Sequence, residues 1–71
     1  MNFKQEGDKK TLNSPTMNLV IDGFTFKINT RRGYGSGTFT PEGEFDWQMC
    51  FSISPMQKHS IQDTIRREMR I

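Results

Sequence analysis

Asp22 and Gly23 lie between two runs of β-prone residues in "TMNLVIDGFTFKINT", and no other stretch limits the fold so tightly. Asp-Gly is the preferred pair for a two-residue type I′ hairpin turn, because both central positions need positive φ. A turn centred there predicts Ile21 opposite Phe24, Leu19 opposite Phe26 and Met17 opposite Ile28. All six apolar side chains then share one face, with Asn18, Thr25, Lys27 and Asn29 on the other.

A second hairpin is expected in "GTFTPEGEFDWQMCFSIS". From Phe45 the alternation predicts Phe45, Trp47, Met49, Phe51 and Ile53 inward, and Asp46, Gln48, Cys50 and Ser52 outward. A three-residue loop, Pro41-Glu42-Gly43, sets Phe39 opposite Phe45, and it suits a type I turn followed by a glycine bulge. Continuing that register puts Gly37 opposite Trp47 and Gly35 opposite Met49, on the core side. A four-residue loop from Arg31 to Tyr34 would set Phe26 against Phe39 and Ile28 against Gly37. A two-residue loop at Arg31-Arg32 keeps the same faces.

The segment "SPMQKHSIQDTIRREMRI" reads as a helix. Ser54 as N-cap, Pro55 at the first helical position and Gln57 at the third form a capping box, and Ser60 with Asp63 offers a second start. Ile61, Ile65 and Met69 make one apolar stripe, flanked by Lys58, Gln62, Arg66, Arg67 and Arg70. Such a stripe predicts a helix laid over the apolar face of the sheet; a basic amphipathic helix facing a membrane or an acidic partner would leave the Phe and Trp face bare. Residues 1–15 show no periodicity and read as a flexible N-terminal tail. The expected fold is therefore α+β: a tail (1–15), then a single ββββα domain (16–71), a four-stranded antiparallel meander with one C-terminal helix packed on one face.

Seventy-one residues with 32% hydrophobic content and no Ala demand a core of a few large side chains, since a chain this short buries only about 60% of its unfolded surface. The net charge is +2. Lys4, Lys9 and Lys10 against Glu6 and Asp8 give the tail one unit, leaving +1 for residues 16–71. Binding by phosphate neutralisation usually carries a stronger basic bias. The lone Cys50 excludes an internal disulfide, and "MNFKQEGDKK" carries no apolar signal core, so a reducing, cytoplasmic setting is expected. The richness in Ile, Asn, Lys and Phe fits an AT-rich gene of a kind frequent in phages and mobile elements.

The glycines of "TRRGYGSGTF" invite comparison with phosphate-binding loops. The Walker spacing, its Lys and its following helix are all missing, and so is the βαβ unit that a dinucleotide fingerprint needs. His59 and Cys50 have no sequence-level reason to meet, and Glu42, Glu44 and Asp46 at period two read as a solvated strand edge rather than a cation loop. No enzyme, metal or cofactor is expected.

The remaining cluster faces away from the helix. Lys27, Asn29, Arg31, Arg32, Tyr34 and Gln48 are the candidate binding residues, with Ser36 and Thr38 between them. Exposed Tyr and Arg are the side chains most enriched at interface hot spots. The expected function is a small non-catalytic protein-binding regulatory module, an adaptor or inhibitor. A homodimer through the uncharged edge of the strand from Met17 is a further expectation. The alternative is a nucleic-acid-binding protein that uses the same Arg, Lys and Tyr residues. In outline the expected shape is similar to small DNA-binding domains that insert a three-stranded sheet into the major groove, a resemblance that carries no residues.

Overall fold

The computed structural model describes residues 4–71. Six strands follow one another, β1 (Lys4–Glu6), β2 (Lys9–Asn13), β3 (Met17–Asp22), β4 (Thr25–Thr30), β5 (Tyr34–Phe39) and β6 (Phe45–Phe51), and a single helix, α1 (Pro55–Met69), closes the order. Every strand pairs antiparallel with its sequence neighbours. The architecture is α+β as expected, but the sheet has six strands, not four.

The two additional strands come from the segment expected to be a tail; its residues 1–3 lie outside the described residues. Gly7, at φ 59, begins a two-residue turn that sets Glu6 opposite Lys9. Pro15 and Thr16 make the next turn, where the Ser14 N–H donates to the Met17 carbonyl at 2.8 Å. Between these turns only Leu12 is apolar, too little for a periodicity argument. Leu12 is nonetheless buried opposite Leu19. The strand from Met17 is accordingly interior, with β2 on its other side, and it has no free edge for the expected homodimer.

The β3–β4 register differs from expectation by two residues along β4. Asp22 pairs with Thr25, Ile21 with Phe26 and Leu19 with Ile28. The turn residues are thus Gly23 and Phe24, with positive φ at Gly23 alone among the two. That is the sign pattern of a type II′ turn, whose first central position is reserved for glycine. The Thr25 hydroxyl reinforces it by donating to the Asp22 carbonyl at 2.7 Å. A two-residue displacement preserves the faces, so Leu19, Ile21, Phe26 and Ile28 all reach the core. Phe24 does not. It stands at the turn, half exposed, edge-on to Phe39.

Helix α1 starts where its cap dictates. The Ser54 hydroxyl accepts from the Gln57 N–H at 3.1 Å, with Pro55 in the first turn, and Ser60 lies inside the helix. Ile61 and Ile65 are buried against the sheet and Met69 packs beside them. The polar flank is structural as well. Gln62 Oε1 accepts from Trp47 Nε1 at 2.8 Å, Lys58 lies 5.6 Å from the Trp47 ring, and Arg66 donates twice to the Gly43 carbonyl while resting on Phe45. Lys10 meets Glu68 at 3.4 Å. No helix of the described residues is long and apolar enough to cross a membrane.

Candidate protein-binding face

The outer face of the sheet is organised by three cross-strand rows. One runs Asn13, Asn18, Asn29, Tyr34, Phe51; the next Thr11, Val20, Lys27, Ser36, Met49; the third Lys9, Asp22, Thr25, Thr38, Asp46. The first two bring aromatic and apolar side chains to the surface that the alternation of β6 had assigned to the core.

The cause is a bulge. Phe39 pairs with Phe45 and Gly37 with Trp47, as expected, but Ser36 then pairs with Met49 and Gly35 with Cys50. Gln48 is the extra residue. Beyond it the faces invert: Cys50 turns toward the core cluster, while Met49 and Phe51 turn outward, 46% and 55% exposed. Ser52, at φ 57, then redirects the chain and returns Ile53 to the core.

The glycines explain why the bulge is needed. A Cβ on Gly37 would fall on the Asp46 carbonyl oxygen and come 3.0 Å from the Phe26 ring; one on Gly35 would come 2.9 Å from Trp47 Cζ3. The indole of Trp47 therefore lies across the bare backbone at Gly35, filling the inner space that unbroken alternation would have given to Met49. One large ring takes two inner positions, and the next side chain goes out. Crowding at Gly37 thus comes from Asp46 and Phe26, whereas the expected neighbour, Trp47, crowds Gly35.

The predicted site residues separate into three places. Lys27, Asn29 and Tyr34 are together: Asn29 pairs with Tyr34 and Lys27 with Ser36, and with Met49 they line a depression of about 260 Å³. Arg31 and Arg32 form the two-residue β4–β5 turn, both exposed. The Thr30 hydroxyl holds that turn, accepting from the Arg32 and Gly33 N–H groups at 3.2 and 2.9 Å. Gln48, exposed at the bulge, bonds instead to Thr38 at 3.4 Å.

Sequence reasoning missed Met49 and Phe51. Phe51 packs against Tyr34 with ring centroids 5.1 Å apart, and Tyr34 is itself 47% exposed. A signal did exist: Cys is among the residue types most often buried, and an inward Cys50 is incompatible with an inward Met49 on an unbroken strand.

Among the described residues no three His, Cys, Asp or Glu side chains gather closely enough to hold a metal ion. His59 sits on the exposed side of α1, 3.6 Å from Asp63, while Cys50 lies on the inner face of the sheet with its thiol directed at the Ile53 carbonyl. Comparison with protein families, with curated proteins and with solved structures gives no match.

Proposed function

We propose that this chain is a non-catalytic protein-binding module, an adaptor or inhibitor that engages its partner through the outer face of the sheet. The observation that carries this reading is the patch of Tyr34, Met49 and Phe51 on two adjacent strands, each about half exposed. Contiguous apolar groups rimmed by polar ones mark interaction surfaces, and Tyr, Phe, Met and Arg are the side chains enriched there. The helix, by contrast, spends its apolar stripe on the core.

Magnitudes limit what the patch does alone. Large side chains bury 150–250 Å² each, so these three leave on the order of 300 Å² exposed. At about 25 cal/mol per Å², covering all of it contributes roughly 7 kcal/mol at most. Association costs an estimated 4–15 kcal/mol, so useful affinity requires polar contacts from the rim. Lys27, Asn29 and Arg31 stand in the right place to make them.

Photo-crosslinking in the native cells tests the reading. A photoreactive residue at Ser36, on the outer face, is expected to trap a discrete protein, and one at Ser60, on α1, is not. Equal labelling from both positions, or none from Ser36, rejects it.

One observation favours a second reading. Tyr34 and Phe51 lie side by side on a sheet surface, the arrangement on which single-stranded nucleic acids stack their bases. The small net charge argues against it. Oligonucleotide binding measured against salt tests it, and a slope of several phosphates is its expected signature.

A further inference from the structure

We infer that the partner presents an acidic segment, with carboxylates on either side of an aromatic or long aliphatic side chain that seats on Tyr34, Met49 and Phe51. This rests on the protein-binding reading and specifies the chemistry of the partner.

The argument is the distribution of charge over the outer face. Its carboxylates, Glu6, Asp22 and Asp46, lie in the row with Lys9, at the end of the sheet that carries the Gly7 and Gly23 turns. The aromatic row lies at the opposite end, beside the Arg31-Arg32 turn. Near the patch the charged groups are Lys27, Arg31 and Arg32, all exposed, and none of them joins an ion pair among the described residues. Among the other cations, Lys4 pairs with Glu6, Lys10 with Glu68 and Arg66 with Asp63 and the Gly43 carbonyl, and Lys58 lies over Trp47; Lys9, Arg67 and Arg70 join no ion pair among the described residues. Three of the six described cations without a partner thus stand beside the exposed apolar patch, where the outer face carries no carboxylate.

Spacing refines the partner. Lys27 lies two residues before Asn29 on β4 and Arg31 two residues after it, at the start of the turn, so at about 3.3 Å per residue their backbones are separated by roughly 13 Å at most. Asn29 is the direct neighbour of Tyr34. An extended segment laid along this strand would meet the two cations with residues about four apart and set the residue between them over Asn29, beside Tyr34, from where a long side chain can reach toward Phe51. Carboxylates at those positions make charge-assisted hydrogen bonds, the rim contribution that the patch lacks by itself.

The test uses a displayed library of random twelve-residue peptides, selected on the intact protein and counter-selected on a Tyr34→Ser/Phe51→Ser variant shown by circular dichroism to be folded. Enriched peptides are expected to carry Asp or Glu on both sides of an aromatic or aliphatic residue, and to lose at least tenfold in affinity to a Lys27→Glu/Arg31→Glu variant. Selected peptides that depend on Tyr34 and Phe51 but show no acidic enrichment overturn the inference and leave the protein-binding reading standing. Tighter binding of a labelled twelve-nucleotide oligo-dT or oligo-U to the same face, or a selection that yields nothing dependent on it, overturns the inference as well. Failure of the underlying reading registers separately, as the loss of crosslinks from Ser36 in cells.

Discussion

The two faces of the sheet are built from the same strands and obey different rules. The inner face is over-determined: Leu12, Leu19, Ile21, Phe26, Ile28 and Phe39 are all but inaccessible, and even the missing side chains of Gly35 and Gly37 are filled by neighbours. The outer face is permissive, with Thr, Asn, Ser and Lys in its rows beside Val20, Met49 and the Tyr34–Phe51 pair. Selection for folding acts on the first, so whatever is unusual on the second calls for another explanation, and the proposed binding role is one.

Substitutions can break that comparison, and the largest effect is expected on the inner face. Gly37→Val drives a branched side chain into the Asp46 carbonyl and the Phe26 ring. Backbone cannot yield there as a flexible side chain could, so a loss of about 3 kcal/mol or more is expected in urea melts, and a wild-type midpoint would refute the assigned packing. Leu12→Ala tests whether the N-terminal hairpin belongs to the core. Its burial opposite Leu19 predicts a loss of about 2–4 kcal/mol; a change below half a kcal/mol would return β1 and β2 to the status of a tail.

Gln62→Ala removes the acceptor for the Trp47 indole and is expected to cost about 1 kcal/mol in thermal melts. Deleting Gln48 sharpens the contrast further. Removing the bulged residue leaves Met49 and Phe51 outward and Cys50 inward, because regular alternation resumes with the same faces. A cost under about 1 kcal/mol is expected, against loss of folding when Asp46 is deleted and Phe45 is thrown out of register. The smallest effect belongs to Tyr34→Ser/Phe51→Ser, expected to fall within about 0.5 kcal/mol of wild type while abolishing the Ser36 crosslink.

Much of the inner face was legible in the sequence because its signals were local. Ser54-Pro55 marks the helix start, Ile61 and Ile65 its stripe, and Phe39 opposite Phe45 the last hairpin. Other features depended on contacts distant in the chain. The period-two pattern from Phe45 gives way at Gln48 because Trp47 occupies space vacated by Gly35 on the neighbouring strand, and no pattern within β6 reports that. β2 was obscured for the opposite reason. A strand with one apolar residue is stabilised by its ladder with β3 and by the burial of Leu12, neither visible until the strand is placed. At the candidate site, Lys27, Asn29 and Tyr34 followed from face alternation alone. Met49 and Phe51 required the bulge.

Chain order has a consequence for how the molecule reaches its native state. Because every strand pairs with its sequence neighbour, the sheet is assembled from short loop closures, the regime in which domains fold rapidly. The helix follows all six strands, and a fifteen-residue helix is marginal by itself in water. During synthesis the meander therefore emerges with Phe26, Phe39 and Trp47 uncovered until residues 55–69 leave the ribosome. Once those residues are free, the Ser54 cap and Pro55 favour the first helical turn and so hasten the covering of the sheet. Weakening them would show less in the equilibrium stability of the finished protein than in the fraction of nascent chains lost to aggregation.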